Sequence, residues 1–309
     1  MPDLDPQTSA LDELTQQLLN SYATQGGINW APGKTLPSKA AIADVIGDVL
    51  ALLFPGFFGD ATRAGMNLRL GTAARLAEAQ GKLEKELASA FDYAAKPGTE
   101  SSEQHARQVA RQALATLPRL RELLHTDAEA AFQGDPAALS TDEIIVAYPF
   151  IEAISVQRFA HELYLQDVPL IPRIMTEWAH ARTGLDIHPG AKIGSHFFVD
   201  HCTGTVIGET ATIGNNVKMY QGVGLVARSL SGGQSLRGQK RHPTIGDKVT
   251  IYANATIVGG ETVIGSGSTI GAGVFVMQSI PPNSLVVYEP SGIRTLAKTK
   301  QAPVIDYEI

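Results

Sequence analysis

The 309-residue sequence holds a single cysteine. No intramolecular disulfide framework can therefore staple the fold, and the scarcity of thiols fits a reducing cytoplasm. A membrane-spanning run is also missing. The most apolar early stretch, Ala40 to Gly59, is interrupted by Asp44 and Asp48 and carries Pro55. It reads as a buried helix, because a span needs about 20 nearly uncharged residues. The first residues, MPDLDPQTSALDELTQQ, are acidic and polar and do not make a signal peptide. Basic excess is absent as well: 25 Lys and Arg face 31 Asp and Glu, a formal charge of -6. That balance speaks against nucleic acid or an anionic membrane as partner. The expectation is a cytoplasmic globular protein with room for two domains of roughly 150 residues each.

The chain is written in two different patterns. Up to residue 183 the apolar residues recur at helical spacing, as in Leu11, Leu14, Leu18 and Leu19, or Ala110, Leu114, Leu117, Leu120 and Leu124. Ser140-Thr141-Asp142-Glu143 opens a further helical run, which Pro149 should split in two. KPGTESSEQ, around Pro97, reads as a connecting loop. From residue 184 to 290 the period becomes six. Ile187, Ile193 and Val199 follow it, then Ile207, Ile213 and Met219, then Ile245, Ile251 and Ile257, and after a one-residue slip Val258, Ile264, Ile270 and Val276. Glycine often follows the aliphatic residue, as in Ile193-Gly194 and Ile207-Gly208. A sustained hexapeptide period marks a parallel β-helix, whose units bury their faces only by stacking. Residues 226–243, glycine-rich and carrying Arg228, Arg237, Lys240 and Arg241, break the period and read as a loop thrown out of the helix. Residues 291–309 form an aperiodic tail.

The stretch Phe198-Val199-Asp200-His201-Cys202-Thr203-Gly204 sets an acid, an imidazole and the only thiol side by side. Three chemistries are open to it. A Cys202 nucleophile would need an imidazole within hydrogen-bond reach, yet neighbours on an extended strand point to opposite faces. A metal centre could draw on His196 and His201, nearly one six-residue coil apart, with His188 a coil earlier; the γ-class carbonic anhydrases hold zinc on a β-helix with two histidines at this spacing. Against it, His188 and His196 have no evident carboxylate partners, and His242 lies on the excursion. Finally, His201 could be a general base, which needs a carboxylate to fix its tautomer. Asp186, fifteen residues upstream, is the candidate.

Asp186-Ile187-His188-Pro189, Asp200-His201-Cys202-Thr203-Gly204, Gly208-Glu209-Thr210 and Arg241-His242-Pro243 occur in this order within residues 130–290. Over that span the sequence closely resembles the serine O-acetyltransferases of the hexapeptide-repeat acyltransferase superfamily. The resemblance implies an α+β fold: an N-terminal all-α domain (1–183), used in oligomerisation and in part of the acceptor site, followed by a left-handed parallel β-helix (184–290). It implies transfer of acetyl from acetyl-CoA to L-serine in cysteine biosynthesis, without an acyl-enzyme. By motif, His201 resembles the base and Asp186 its orienting acid. Asp200 and Asp135 would meet the serine ammonium, Glu209 would support the site, and Arg241 and His242 would receive the carboxylate. Ala253 and Ala272 match backbone contacts to CoA, and no metal is expected. Sites between subunits imply a homotrimer, with helical domains able to join two trimers into a hexamer.

The sequence departs from the family in places. Cys202 stands where alanine is common, and Val223-Gly224-Leu225-Val226-Ala227 replaces a glycine-containing run, with Val226 adding bulk where CoA should approach. Phe150-Ile151-Glu152-Ala153 replaces a run that usually contains histidine. The chain ends in Ile309, and in this family a terminal isoleucine can enter O-acetylserine sulfhydrylase, which makes that enzyme an expected partner. The competing readings are an acetyltransferase for another small hydroxyl acceptor, a zinc enzyme of the γ-class carbonic anhydrase kind, and a catalytically silent scaffold.

Overall fold

The computed structural model describes residues 6–29, 35–59, 67–95, 102–229 and 231–287. Ile309 and the rest of the tail lie outside the described residues. Among the described residues eight helices come first: α1 (Pro6–Thr24), α2 (Lys39–Leu53), α3 (Leu68–Ala94), α4 (Ser102–Ala115), α5 (Leu117–Gly134), α6 (Thr141–Ala147), α7 (Pro149–Tyr164) and α8 (Ile171–Thr183). The Ala40–Gly59 stretch forms α2 and stops before Pro55, with Asp48 turned inward onto Lys82 of α3 at 2.5 Å. The ion pair accounts for an acid inside an apolar helix. Among the described residues no helix is long and apolar enough to cross a membrane. Ser140 caps α6, its hydroxyl accepting from the Glu143 amide at 3.1 Å, and Pro149 begins α7. Leu11, Leu14, Leu18 and Leu19 do form a helical stripe on α1, but all four are exposed.

Among the described residues fourteen short strands follow. They are β1 (Asp186–Ile187), β2 (Lys192–Ile193), β3 (Phe198–Val199), β4 (Val206–Ile207), β5 (Thr212–Ile213), β6 (Lys218–Met219), β7 (Gly224–Val226), β8 (Thr244–Ile245), β9 (Thr250–Ile251), β10 (Thr256–Val258), β11 (Val263–Ile264), β12 (Thr269–Ile270), β13 (Phe275–Val276) and β14 (Leu285–Val286). They make three parallel sheets, β1-β4-β7-β10-β13, β2-β5-β8-β11 and β3-β6-β9-β12-β14, the sides of a left-handed β-helix. The register stacks the period-six aliphatics directly: Val199 on Met219, Met219 on Ile251, Ile251 on Ile270. All four are fully or almost fully buried. Gly194 sits where a Cβ would come within 2.6 Å of the Gly214 carbonyl oxygen, so the close approach of successive corners excludes a side chain there.

Two sequence expectations need correction. A six-residue unit is one side of the prism rather than a coil, because Asp186 pairs with Val206 only after three sides. Val226 also belongs to the wall rather than to the excursion: it ends β7 and pairs with Val258. The excursion leaves after it and returns at Thr244, with a 3-10 turn at Gly233–Leu236.

The first coil would leave an open sheet edge, a row of unpaired carbonyls. Helix α7 covers it. His161 Nδ1 donates to the Pro189 carbonyl at 2.7 Å and Gln157 Nε2 to that of Ala191 at 3.1 Å. Arg158 donates to Ile193 and Gly194 and pairs with Asp127 of α5, which also accepts from the Phe197 amide. Asp127 is fully buried, and burial raises its pKa against the pull of Arg158. The helical half is thereby fixed on the β-helix at the coil that carries His201.

Candidate active site

Three corners join the three sides, and they divide the residues singled out from the sequence. The corner between β3 and β4 takes six residues, 200–205, in the first coil and four, 220–223, in the second. The larger corner pushes His201 outward. His201 and Cys202 both adopt left-handed backbone, φ 60° and 57°, a conformation that costs non-glycine residues energy and concentrates at functional sites. Their side chains diverge, as expected, but because of the corner and not of strand alternation. His201 keeps 67% of its side chain exposed, whereas Cys202 is buried with Sγ 3.7 Å from the Val199 carbonyl. Burial, with the Asp200 charge adding to it, pushes the Cys202 thiol up to about 12. A thiol held that firmly in its neutral form is no nucleophile at neutral pH.

Carboxylates converge on the same corner. Asp200 is almost buried, and its Oδ1 stands 3.5 Å from His201 Nδ1. Asp135, the residue after α5, comes in from the helical half. Its Oδ2 accepts from the Tyr148 hydroxyl at 2.5 Å and its Oδ1 from the Ala137 amide at 2.9 Å. Those two bonds, with smaller help from the charges of Lys218 and His201, hold the Asp135 carboxyl below its usual range. The Tyr148 hydroxyl is in turn pushed up to about 12, first by Asp135 and more weakly by burial and the nearby Asp200. Lys218 donates to the Gly134 carbonyl and lies 4.6 Å from the Tyr220 ring. Higher on this corner, Tyr220 and Tyr252 stack at 5.1 Å, beside half-buried Ala253 and one coil below exposed Ala272.

Asp186 reaches this corner through its backbone only. Its amide donates to the Thr205 carbonyl, and the Gly204 amide donates to that of Gly184. Its carboxylate faces Arg173 of α8 at 3.9 Å. Among the described residues, no hydrogen bond or ion pair joins Asp186 to His201; Asp200 is the carboxylate beside the imidazole.

The corner between the first and second sides collects the other group. Glu209 accepts from the Tyr164 hydroxyl at 2.8 Å and pairs with Arg241 at the end of the excursion. Burial alone would raise the Glu209 carboxyl, but the Tyr164 and Arg241 bonds and the Arg241 charge outweigh it, so its pKa is lowered. His242 is buried, and burial together with Arg241 pushes it down to about 4. His188 lies in the same group, edge-on to Tyr164 at 5.8 Å, its pKa lowered chiefly by burial. Its Nδ1 accepts from the Gly190 amide at 3.0 Å.

Within one protomer nothing gathers the three histidines of the metal reading. His188, His196 and His201 occupy three different corners of one coil, a consequence of six residues making a side. The metal-ligand geometry found among the described residues is Glu177, His180 and Asp186, a partly exposed set of a kind common without an ion. Glu152, which replaces part of the family's histidine run, pairs with Arg182 at 2.5 Å and ties α7 to α8. Sequence reasoning missed Tyr148, Tyr164 and Lys218, which reach the site only through tertiary contacts.

A β-helix of hexapeptide units, with an exposed histidine beside carboxylates at one corner and a half-buried arginine next to a buried histidine at another, defines the hexapeptide class of acyltransferases. No family model matches the chain. The chain is 41% identical over 229 residues to a plasmid serine acetyltransferase of Synechococcus elongatus, covering 71% of this chain and 72% of that one. Among solved structures it is similar to serine acetyltransferase isoform 3 of Entamoeba histolytica in complex with cysteine (34% identity, TM-score 0.71, 94% of this chain and 96% of that one). It is similar too to soybean serine acetyltransferase complexed with serine (30% identity, TM-score 0.53, 82% and 98%). The chain belongs to the serine acetyltransferase family.

Proposed function

We propose that the chain transfers the acetyl group of acetyl-CoA to the L-serine hydroxyl with His201 as general base, giving O-acetylserine and CoA. The observation that carries the reading is the division of charge between two corners. Asp200 and Asp135 present anions beside His201 for the serine ammonium, and Arg241 presents a cation for the carboxylate. A zwitterionic acceptor needs both signs, which a simple alcohol or sugar does not. His201 takes the hydroxyl proton as the serine oxygen attacks the thioester carbon. The carbon–sulfur bond then breaks, and the imidazolium returns the proton to the CoA thiolate. Positioning two bound substrates supplies much of the acceleration. Asp186, freed from Arg173, would orient the imidazole; Ala253 and Ala272 lie above His201 on the corner along which CoA would run.

The two groups stand at opposite ends of the side formed by β4. The stretch from Thr205 to Gly208, β4 and its two neighbours, already spans roughly 10 Å, more than one serine can bridge. A three-fold assembly would bring the Arg241 corner of one protomer against the His201 corner of the next, so a homotrimer completes the site. Two trimers could join through the helical half, where the α1 leucines are exposed. A cytoplasmic location and a complex with O-acetylserine sulfhydrylase through Ile309 belong to the same reading. The test is thiol release from acetyl-CoA with serine, with homoserine, and without acceptor. Serine-dependent release is expected; equal release in all three would overturn the reading.

A further inference from the structure

Arg241 and His242 sit at the end of an excursion that is exposed along most of its length, yet His242 is buried. A flexible loop cannot by itself hold two side chains in fixed register, so something must pin its end. Thr210, on the neighbouring coil, touches all of Lys240, Arg241 and His242. Its Oγ1 accepts from the Arg241 amide at 2.9 Å and from the His242 amide at 3.0 Å. Its amide donates to His242 Nδ1 at 3.1 Å, with Oγ1 2.9 Å from the same nitrogen. Its carbonyl accepts from Lys240 Nζ at 2.6 Å.

These bonds have a definite proton order. A backbone amide can only donate, so His242 Nδ1 must be an acceptor and the ring proton belongs on Nε2. The Thr210 hydroxyl, with two amides donating to its oxygen, can send its own proton to the same Nδ1. Among the described residues Nε2 has no hydrogen-bond partner, so it remains a donor for a ligand. A neutral ring with that tautomer agrees with the downward displacement of the His242 pKa. Gly208 completes the seat: a Cβ there would lie 2.0 Å from His242 Cδ2, so the ring packs against bare backbone.

We propose that Thr210 is a positioning residue for the acceptor site: it pins the end of the excursion and sets His242 as a neutral Nε2–H donor aimed, with Arg241, at the serine carboxylate. The proposal rests on the reading of Arg241 and His242 as the carboxylate site. Thr210 touches no substrate; it acts through the two residues it holds. The Gly-Glu-Thr motif names it, but only the folded corner shows that its three polar groups serve residues 30 to 32 positions away.

The test compares Thr210→Val, which keeps the shape and removes the hydroxyl, with Thr210→Ser, which keeps it. Thr210→Val should raise KM for serine by about tenfold, the weight of one or two hydrogen bonds, and leave KM for acetyl-CoA unchanged. Thr210→Ser should restore the wild-type value. An unchanged serine KM in Thr210→Val, while Arg241→Ala raises it, would overturn the role of Thr210 and leave the carboxylate site standing. If Arg241→Ala also leaves it unchanged, the carboxylate reading itself fails. A measurement on the wild-type protein needs no variant to fold: nitrogen-15 shifts of labelled histidine, with His242 assigned, should show the proton on Nε2. A proton on Nδ1 would overturn the proposal.

Discussion

The two corners to which the proposed mechanism assigns its residues are built by opposite means. At the His201 corner two extra residues enlarge a tight turn, and two successive non-glycine residues accept left-handed backbone, at a cost of about 1–3 kcal/mol each. The reward is an imidazole that stands clear of the wall. At the Arg241 corner a long excursion returns to the wall; at its end His242 is buried, Arg241 is paired with Glu209, and Thr210 pins both backbones. On the proposed reading, one corner displays the group that meets substrate and exchanges protons. On the same reading the other holds its recognition pair in place before substrate arrives, which lowers the ordering cost of binding. Reaction and recognition therefore need not share one protomer.

The sharpest way to break that contrast is to disable each corner separately. His201→Ala should lower kcat by about two to four orders of magnitude, the scale of a general base, measured as thiol release. Arg241→Ala should act mainly on KM for serine. Co-expressing the two variants distinguishes shared from self-contained sites. In randomly mixed trimers roughly a quarter of the sites receive both intact corners, so activity should return to about that level. Recovery no greater than the sum of the separate variants would show that each protomer works alone.

A smaller effect probes the closed corner. Gly208 has no positive φ, yet a Cβ there would meet His242 at 2.0–2.7 Å. Gly208→Ala must displace the buried ring, so it should cost roughly 1–3 kcal/mol by overpacking and raise KM for serine. Denaturant titration and steady-state kinetics check it. Wild-type stability and kinetics would mean that the ring is not seated as described.

How much of this was legible in the sequence differs between the same two corners. The period of six gave the β-helix, because a stacked aliphatic column needs one inward residue per side, and Ile187, Ile193 and Val199 supply it. The role of Pro149 was legible for an equally local reason. Distances across corners are not: counting six residues as a coil sets His188, His196 and His201 closer than three separate corners allow. Tyr148 and Tyr164 carry no periodic signal, since each acts through one hydroxyl that tertiary packing brings to Asp135 or Glu209. Asp186 was found by motif, but its bond to Arg173 depends on how α8 meets β1.

The smallest effect concerns protonation of the closed corner. His242 would take a proton near pH 6.5 in the unfolded chain but only near pH 4 in the folded one, because burial and Arg241 disfavour the charged ring. Between those values the unfolded state binds more protons, so this contribution to stability is complete above about pH 6.5 and is lost as pH falls toward 4. The groups facing the ring are Arg241, Glu209, His188 and Lys240. His188 is shifted down as well and acts in the same direction. Glu209 is also lowered, so its share is lost at the acidic end of the window, below its usual 4.5. Urea midpoints measured from pH 7.5 down to pH 4.5 should therefore fall in the wild type and fall less in His242→Gln, with the remaining slope owed partly to His188. Parallel slopes would mean that His242 is protonated as readily in the folded protein as in the unfolded chain, and the closed corner would then be as open to solvent as the one that carries His201.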